Sequence, residues 1–117
     1  MPAILLILAS VLLGATAQVL LKIAVLKLGN ISYSLIGLLK LITSIYIWAG
    51  LFAFASSFLL WLKVLAAVPL SYAYPMVSLS YVFVFLASWL FLGEAQPPLR
   101  FVGLALIISG FFFVAFS

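Results

Sequence analysis

Four long apolar stretches joined by short connections leave this chain of 117 residues almost no sequence with which to build anything else. A helix needs about 20 predominantly apolar residues to cross the hydrocarbon core of a bilayer. Stretches of that kind are read at about residues 3–26, 45–66, 70–92 and 99–116. Inside a membrane the backbone N–H and C=O groups must be satisfied within the segment itself, which a helix achieves. The expected fold is therefore all-α: an integral membrane bundle of four transmembrane helices, forming a single transmembrane domain over residues 1–117.

Charge supports this reading and removes several others. Only 5% of the residues are charged, against about a quarter in a soluble domain, so most of the surface must face lipid. Net charge is +4, but the basic residues Lys22, Lys27, Lys40, Lys63 and Arg100 stand singly near the ends of apolar runs. Charge placed there sets membrane orientation, and no nucleic acid is expected as a partner. Cysteine and histidine are absent, which removes thiol nucleophiles, thiolate metal sites and the usual general base near neutral pH. No paired carboxylates, metal cluster or phosphate loop is present, so no catalytic residue, metal or cofactor is expected, and the chain is not read as an enzyme.

The first stretch imitates a signal peptide, with Ala15-Thr16-Ala17 as a cleavage site. Signal peptides open with positive charge and carry a shorter apolar core. No Lys or Arg precedes Lys22 here, and the stretch is read as a retained first helix.

The connections carry their own signals. Gly29-Asn30 suits a helix stop, because both residues tolerate positive φ. Asn30-Ile31-Ser32 matches a glycosylation sequon and is given no weight. Residues 31–44 are less apolar, with Tyr33, Gly37, Lys40 and Ser44 at helical spacing on one side. Two readings stand: a short amphipathic helix at the interface, or an early tilted turn of the second helix. Trp48 and Trp61 lie near the ends of that second helix, where aromatic belts sit. Pro69 suits the first turn of the third helix, and Pro97-Pro98 stops helix from running through the turn that carries Glu94. Counting basic residues gives the side of the first and third connections the excess, which puts both termini outside the cytoplasm.

Polar residues within spans are the informative ones, since each costs about 1–3 kcal/mol unless it meets a partner or water. Gly14, Gln18 and Lys22 recur every four residues on one face of the first helix. Either the amide and ammonium line a polar pathway, or Lys22 snorkels to the interface while Gln18 bonds a neighbouring helix. In the third helix Tyr74, Ser78 and Tyr81 share a face, with Ser71 one turn earlier. Pro75 frees the Ser71 carbonyl and supplies a conformational weak point. That face is read as a ligand surface or as the packing face of a kinked helix. Gly103, Ile107 and Gly110 form a small-residue face on the fourth helix, suited to packing or dimerisation, and Gly50, Ala53 and Ser57 form a weaker one on the second. Glu94, the one acid, is expected to pair with Arg100 or to cap.

The run Trp61-Leu62-Lys63-Val64-Leu65, then Val68-Pro69, then Ala73-Tyr74-Pro75-Met76 and Ser78-Leu79, resembles the four-helix branch of the drug/metabolite transporter superfamily. Gly14 through Lys22 resembles the end of that family's first helix. Gly93-Glu94 followed by Gly103, Leu106-Ile107 and Gly110 resembles its last-helix pattern. Within the branch the chain is most similar to the small subunits of the undecaprenyl-phosphate-aminoarabinose flippase. It departs from the small multidrug-resistance exporters, which carry a proton-exchanging glutamate in the middle of the first helix. Aligned on Lys22, this chain has Gly14 there. A buried carboxylate is what would attract a cation and take up a proton, so the departure argues against proton-coupled cation export.

The resemblance implies a transporter of the inner membrane that moves a lipid-linked sugar phosphate or similar anionic amphiphile. Lys22, with Lys63 or Arg100, would attract the phosphate, and Gln18, Tyr74, Ser78 and Tyr81 would contact the polar head. Relatives built from inverted repeats imply a homodimer, or a heterodimer with a paralogous small subunit. Two other readings are a membrane scaffold for a glycosyltransferase and an exporter of small cations or metabolites.

Overall fold

The computed structural model describes residues 3–29 and 34–117, and its regular elements are all helices: α1 (Ala3–Leu28), α2 (Leu35–Thr43), α3 (Ile45–Ala67), α4 (Leu70–Met76), α5 (Ser78–Leu90) and α6 (Pro98–Ala115). Among the described residues, four spans are long and apolar enough to cross a membrane: α1, α3, α4 with α5 taken together, and α6. The chain is a multi-pass membrane protein. At about 1.5 Å per residue, the 26 residues of α1 are long enough to cross with tilt, and the 18 of α6 just reach across.

Local chemistry sets the boundaries. Gly29 takes φ 74°, and its N–H bonds the Val25 carbonyl at 3.0 Å, which ends α1 in the way a left-handed cap does. The Ser34 hydroxyl accepts from Gly37 N–H at 3.2 Å and starts α2. Ser44 is extended (φ −81°, ψ 124°) and serves both as C-cap of α2 and N-cap of α3. The Trp48 indole N–H donates to the Ile42 carbonyl across that corner. Of the two readings of residues 31–44, the separate short helix is the one found, with Leu35, Ile36, Leu38, Leu39 and Ile42 all exposed. Asn30, the sequon and Tyr33 lie outside the described residues. At the far end, Gly93 takes φ 71° and Glu94 N–H reaches back to the Ser88 carbonyl at 2.9 Å, which closes α5 and fixes where Glu94 stands.

The third span is broken. Pro75 has no N–H to give the helix ladder, and the turn tightens at Val77: Ser80 N–H bonds the Val77 carbonyl at 2.8 Å, and the Ser80 hydroxyl donates to the same oxygen at 2.7 Å. That i to i−3 geometry separates α4 from α5.

α1 and α3 run antiparallel and form the tightest pair. Close approach depends on two glycines. A Cβ on Gly50 would stand 2.8 Å from Leu21 Cδ2, and one on Gly14 would stand 3.2 Å from Ser57 Oγ. Ile7 and Val11 of α1, Val64 of α3, and Ala73 and Met76 of α4 make the buried core, and Phe111 and Val114 of α6 pack against its edge. α6 also meets α5 through aromatic edges, with the Phe101 ring 5.3 Å from Phe85 and 5.2 Å from Trp89. Even so, α6 buries none of its own residues. The large exposed apolar side chains on all the spans suit acyl chains and would be untenable in water.

Candidate functional site

A crevice of about 240 Å³ opens between α1, α3 and the α4–α5 break. Its wall on α1 is Ser10, Gly14 and Gln18, which are four residues apart and so stack on one helical face. Three aromatic side chains of α3, Phe54, Phe58 and Trp61, stand opposite. The break contributes Val77 and Ser80, so the irregular backbone lines a cavity, the situation in which a membrane tolerates it.

The polar floor is a reciprocal clasp. Ser10, 3% exposed, donates its hydroxyl to the Ser57 carbonyl at 3.1 Å. Ser57 donates its own to the Ser10 carbonyl at 2.7 Å. The missing side chain at Gly14 lets the Ser57 hydroxyl approach α1. Gly14 is also the position that the resemblance equates with the exporters' glutamate, and here it places no charge in the crevice.

One turn beyond Gln18, Lys22 lies outside the crevice with its ammonium 3.9 Å from Glu94 Oε2 and both side chains about half exposed. The acid therefore pairs with Lys22 and not, as expected, with Arg100. Arg100 donates instead to Gln96 Oε1 at 3.2 Å. The physical reason is the Gly93 turn, which carries Glu94 back toward α1 while Arg100 stays on α6. Nearby, Lys27 lies 5.3 Å from the centre of the Tyr46 ring, a cation–π distance.

Of the residues singled out in the sequence as contacts for a polar head or phosphate, Gln18 alone lines this crevice. Lys63 borders a separate shallow depression with Leu6 and Leu60. Tyr74 is 68% exposed and Tyr81 38%, facing outward, and Ser78 is half-buried without lining the crevice. Tyr74 and Tyr81 lie on the outward face of the third span, and it is Val77 and Ser80 that line the crevice. Pro75 lies two residues before the break at Val77. Gly103 and Gly110 have nothing within 4 Å of an added Cβ, so their face is unfilled within this chain, and Ile107 beside them is half-buried. Sequence reasoning missed Ser10, Phe54, Phe58 and Ser80, and read Trp61 only as a belt residue and Ser57 only as packing. The spacing Ser10, Gly14, Gln18 was a usable signal for the first. Nothing local pointed to the others.

The family model described as EamA-like transporter family matches residues 37–116, more than half of the chain. Proteins named "Probable 4-amino-4-deoxy-L-arabinose-phosphoundecaprenol flippase subunit ArnE" from Salmonella paratyphi B, Salmonella newport and Salmonella typhimurium are each 46% identical to it over 66 residues. That alignment takes in 55% of this chain and 60% of each relative, so the chain covers less than two thirds of the relatives it matches. No solved structure matches.

Proposed function

The chain belongs to the EamA-like transporter family, and from that premise we propose that it is one subunit of a small flippase. Its cargo would be a polyprenyl-phosphate-linked sugar, or a similar anionic amphiphile, moved across the inner membrane. It would act by transport, without covalent chemistry. The observation that carries this reading is the crevice: an amide and hydroxyls gathered between α1, α3 and the α4–α5 break of a body otherwise faced with apolar side chains. A polar head crossing the hydrocarbon core would otherwise lose its hydrogen bonds, at several kcal/mol per unsatisfied group. Gln18 would meet that head, and Lys22 would meet the phosphate at the crevice mouth. Lys63, Arg100, the exposed Tyr74 and Tyr81 and the half-buried Ser78 would serve on a second subunit's side or at the headgroup level.

A second subunit completes the proposal. Four helices with a crevice of about 240 Å³ enclose too little space for a lipid head and its path. The open small-residue face of Gly103, Ile107 and Gly110 would seat either another copy or a paralogous small subunit. The termini are assigned to the non-cytoplasmic side from the distribution of Lys and Arg.

The test is reconstitution into proteoliposomes, alone and with a paralogous subunit, followed by the rate at which an externally added enzyme or reagent gains access to inner-leaflet polyprenyl-phosphate sugar. Faster access, slowed by Gln18→Leu and Lys22→Gln in protein that still inserts, supports the reading. Unaccelerated access in both preparations would favour the scaffold reading instead.

A further inference from the structure

The hydroxyl protons of the crevice are already committed. Ser10 and Ser57 donate to each other's backbone carbonyls, and Ser80 donates to the Val77 carbonyl at 2.7 Å. A hydroxyl has one proton and two lone pairs, so Ser57 and Ser80 offer lone pairs to an entering group, while Ser10, 3% exposed, backs the clasp. Gln18 and Trp61 add neutral N–H donors to the lining, and no Lys or Arg among the described residues lines it. Such a surface suits a neutral polar guest and offers no cation to an anion.

We propose that the crevice receives the sugar ring of the amphiphile and excludes its phosphate, which stays at the mouth on Lys22. This rests on the flippase reading and deepens it by assigning each half of the head to its own place. Phosphate oxygens bring acceptors only. Inside the crevice they would face serine lone pairs and only the neutral donors of Gln18 and Trp61, with no cation to offset the loss of their water. Sugar hydroxyls, or an amine on the ring, bring the donors that the three serines lack. Phe58 and Trp61 offer ring faces for the sugar's C–H surface and for a protonated amine. The volume, about 240 Å³, falls below the roughly 300–1,000 Å³ of sites for drug-sized ligands, which suits one ring and not an oligosaccharide.

The spacing also fits. Lys22 lies four residues beyond Gln18 on the same face of α1, about 6 Å along the axis, which is the reach from a sugar ring to the phosphate on its anomeric oxygen. Glu94, 3.9 Å from Lys22, holds the ammonium there until a phosphate replaces it.

The experiment uses the full chain in lipid nanodiscs, with Trp48→Phe and Trp89→Phe leaving Trp61 as the only tryptophan. Three probes are titrated while its emission is followed: a short-chain prenyl phosphate, an alkyl glycoside without phosphate, and the prenyl-phosphate glycoside. The expected result is a shift from both glycosides and none from the prenyl phosphate at concentrations that saturate the sugar-bearing lipid. Lys22→Gln should weaken the prenyl-phosphate glycoside about tenfold and leave the alkyl glycoside unchanged. Ser80→Ala and Gln18→Leu should weaken both glycosides several-fold. Emission that responds to prenyl phosphate alone as strongly as to the glycosides overturns the division of the head, while the flippase reading survives. Emission that responds to none of the three also overturns that division, and the flippase reading then stands or falls on the proteoliposome assay with the second subunit.

Discussion

Lys22 Nζ stands 3.9 Å from Glu94 Oε2, so the one acidic side chain of the chain ties the exit of α1 to the turn between α5 and α6. The pair is half exposed on both sides. Exposed ion pairs of this kind contribute about 0–1 kcal/mol, which makes the contact more apt as an exchangeable latch than as a brace. Glu94→Gln should therefore change thermal stability in mild detergent by less than about 1 kcal/mol. The same variant should speed acylation of Lys22 by an amine-reactive reagent, read by peptide mass mapping. An unchanged acylation rate would mean that the carboxylate does not hold the ammonium.

The Ser10–Ser57 clasp makes a second case. Each hydroxyl caps a carbonyl of the opposite helix, at 3.1 and 2.7 Å. Ser10→Ala and Ser57→Ala should each cost about 0.5–1.5 kcal/mol. The double variant should lose less than the two single losses added together, because the residues share one contact. Denaturant titration of the three variants measures this, and full additivity would show that the two bonds are independent.

Glycines on α3 and α6 should behave in opposite ways. At Gly50 a Cβ would stand 2.8 and 2.9 Å from Leu21 side-chain carbons and 3.4 Å from the Ala17 carbonyl oxygen. Gly50→Ala is expected to destabilise by about 1–3 kcal/mol, with part recovered by adding Leu21→Ala. Gly103→Ala and Gly110→Ala meet nothing within 4 Å and should leave the isolated chain within about 0.5 kcal/mol of its starting stability. Cross-linking yield with the second subunit is the separate readout for those two.

Met76 and Tyr74 are two residues apart and set a further contrast. Met76 is fully buried in the core and Tyr74 is 68% exposed. Met76→Ala should cost about 2–5 kcal/mol through the cavity it leaves. Tyr74→Ala should leave the melting temperature nearly unchanged, so any loss of transport in that variant reports on a ligand or partner contact. A large drop in melting temperature for Tyr74→Ala would contradict the placement.

What the sequence made legible was whatever depends on neighbours along the chain. The four spans follow from hydropathy, the stop at Gly29 from tolerance of positive φ, and the start of α6 from Pro97-Pro98. The crevice was less legible because it is assembled across distance. Ser10 and Ser57 are 47 residues apart, and nothing near either one announces the other. Helical periodicity also misled within the third span. It put Tyr74 and Tyr81 on one face and took that face for the site, whereas the face points outward and Val77 and Ser80 line the wall. The pairing of Glu94 was missed for a related reason: Arg100 is nearer in sequence, but the Gly93 turn aims the carboxylate at α1.

α6 is held near its ends, by Phe101 between Phe85 and Trp89 and by Phe111 and Val114 against the core, and buries none of its residues. In a bilayer, helices gain little from simply being apolar, since the surrounding tails are equally so. A span placed in this way is nearly exempt from the task of holding its own chain together. Selection on its middle residues is thereby released from folding and left free to answer to lipid or to a neighbouring subunit. α1, hemmed in on several sides, has no such latitude.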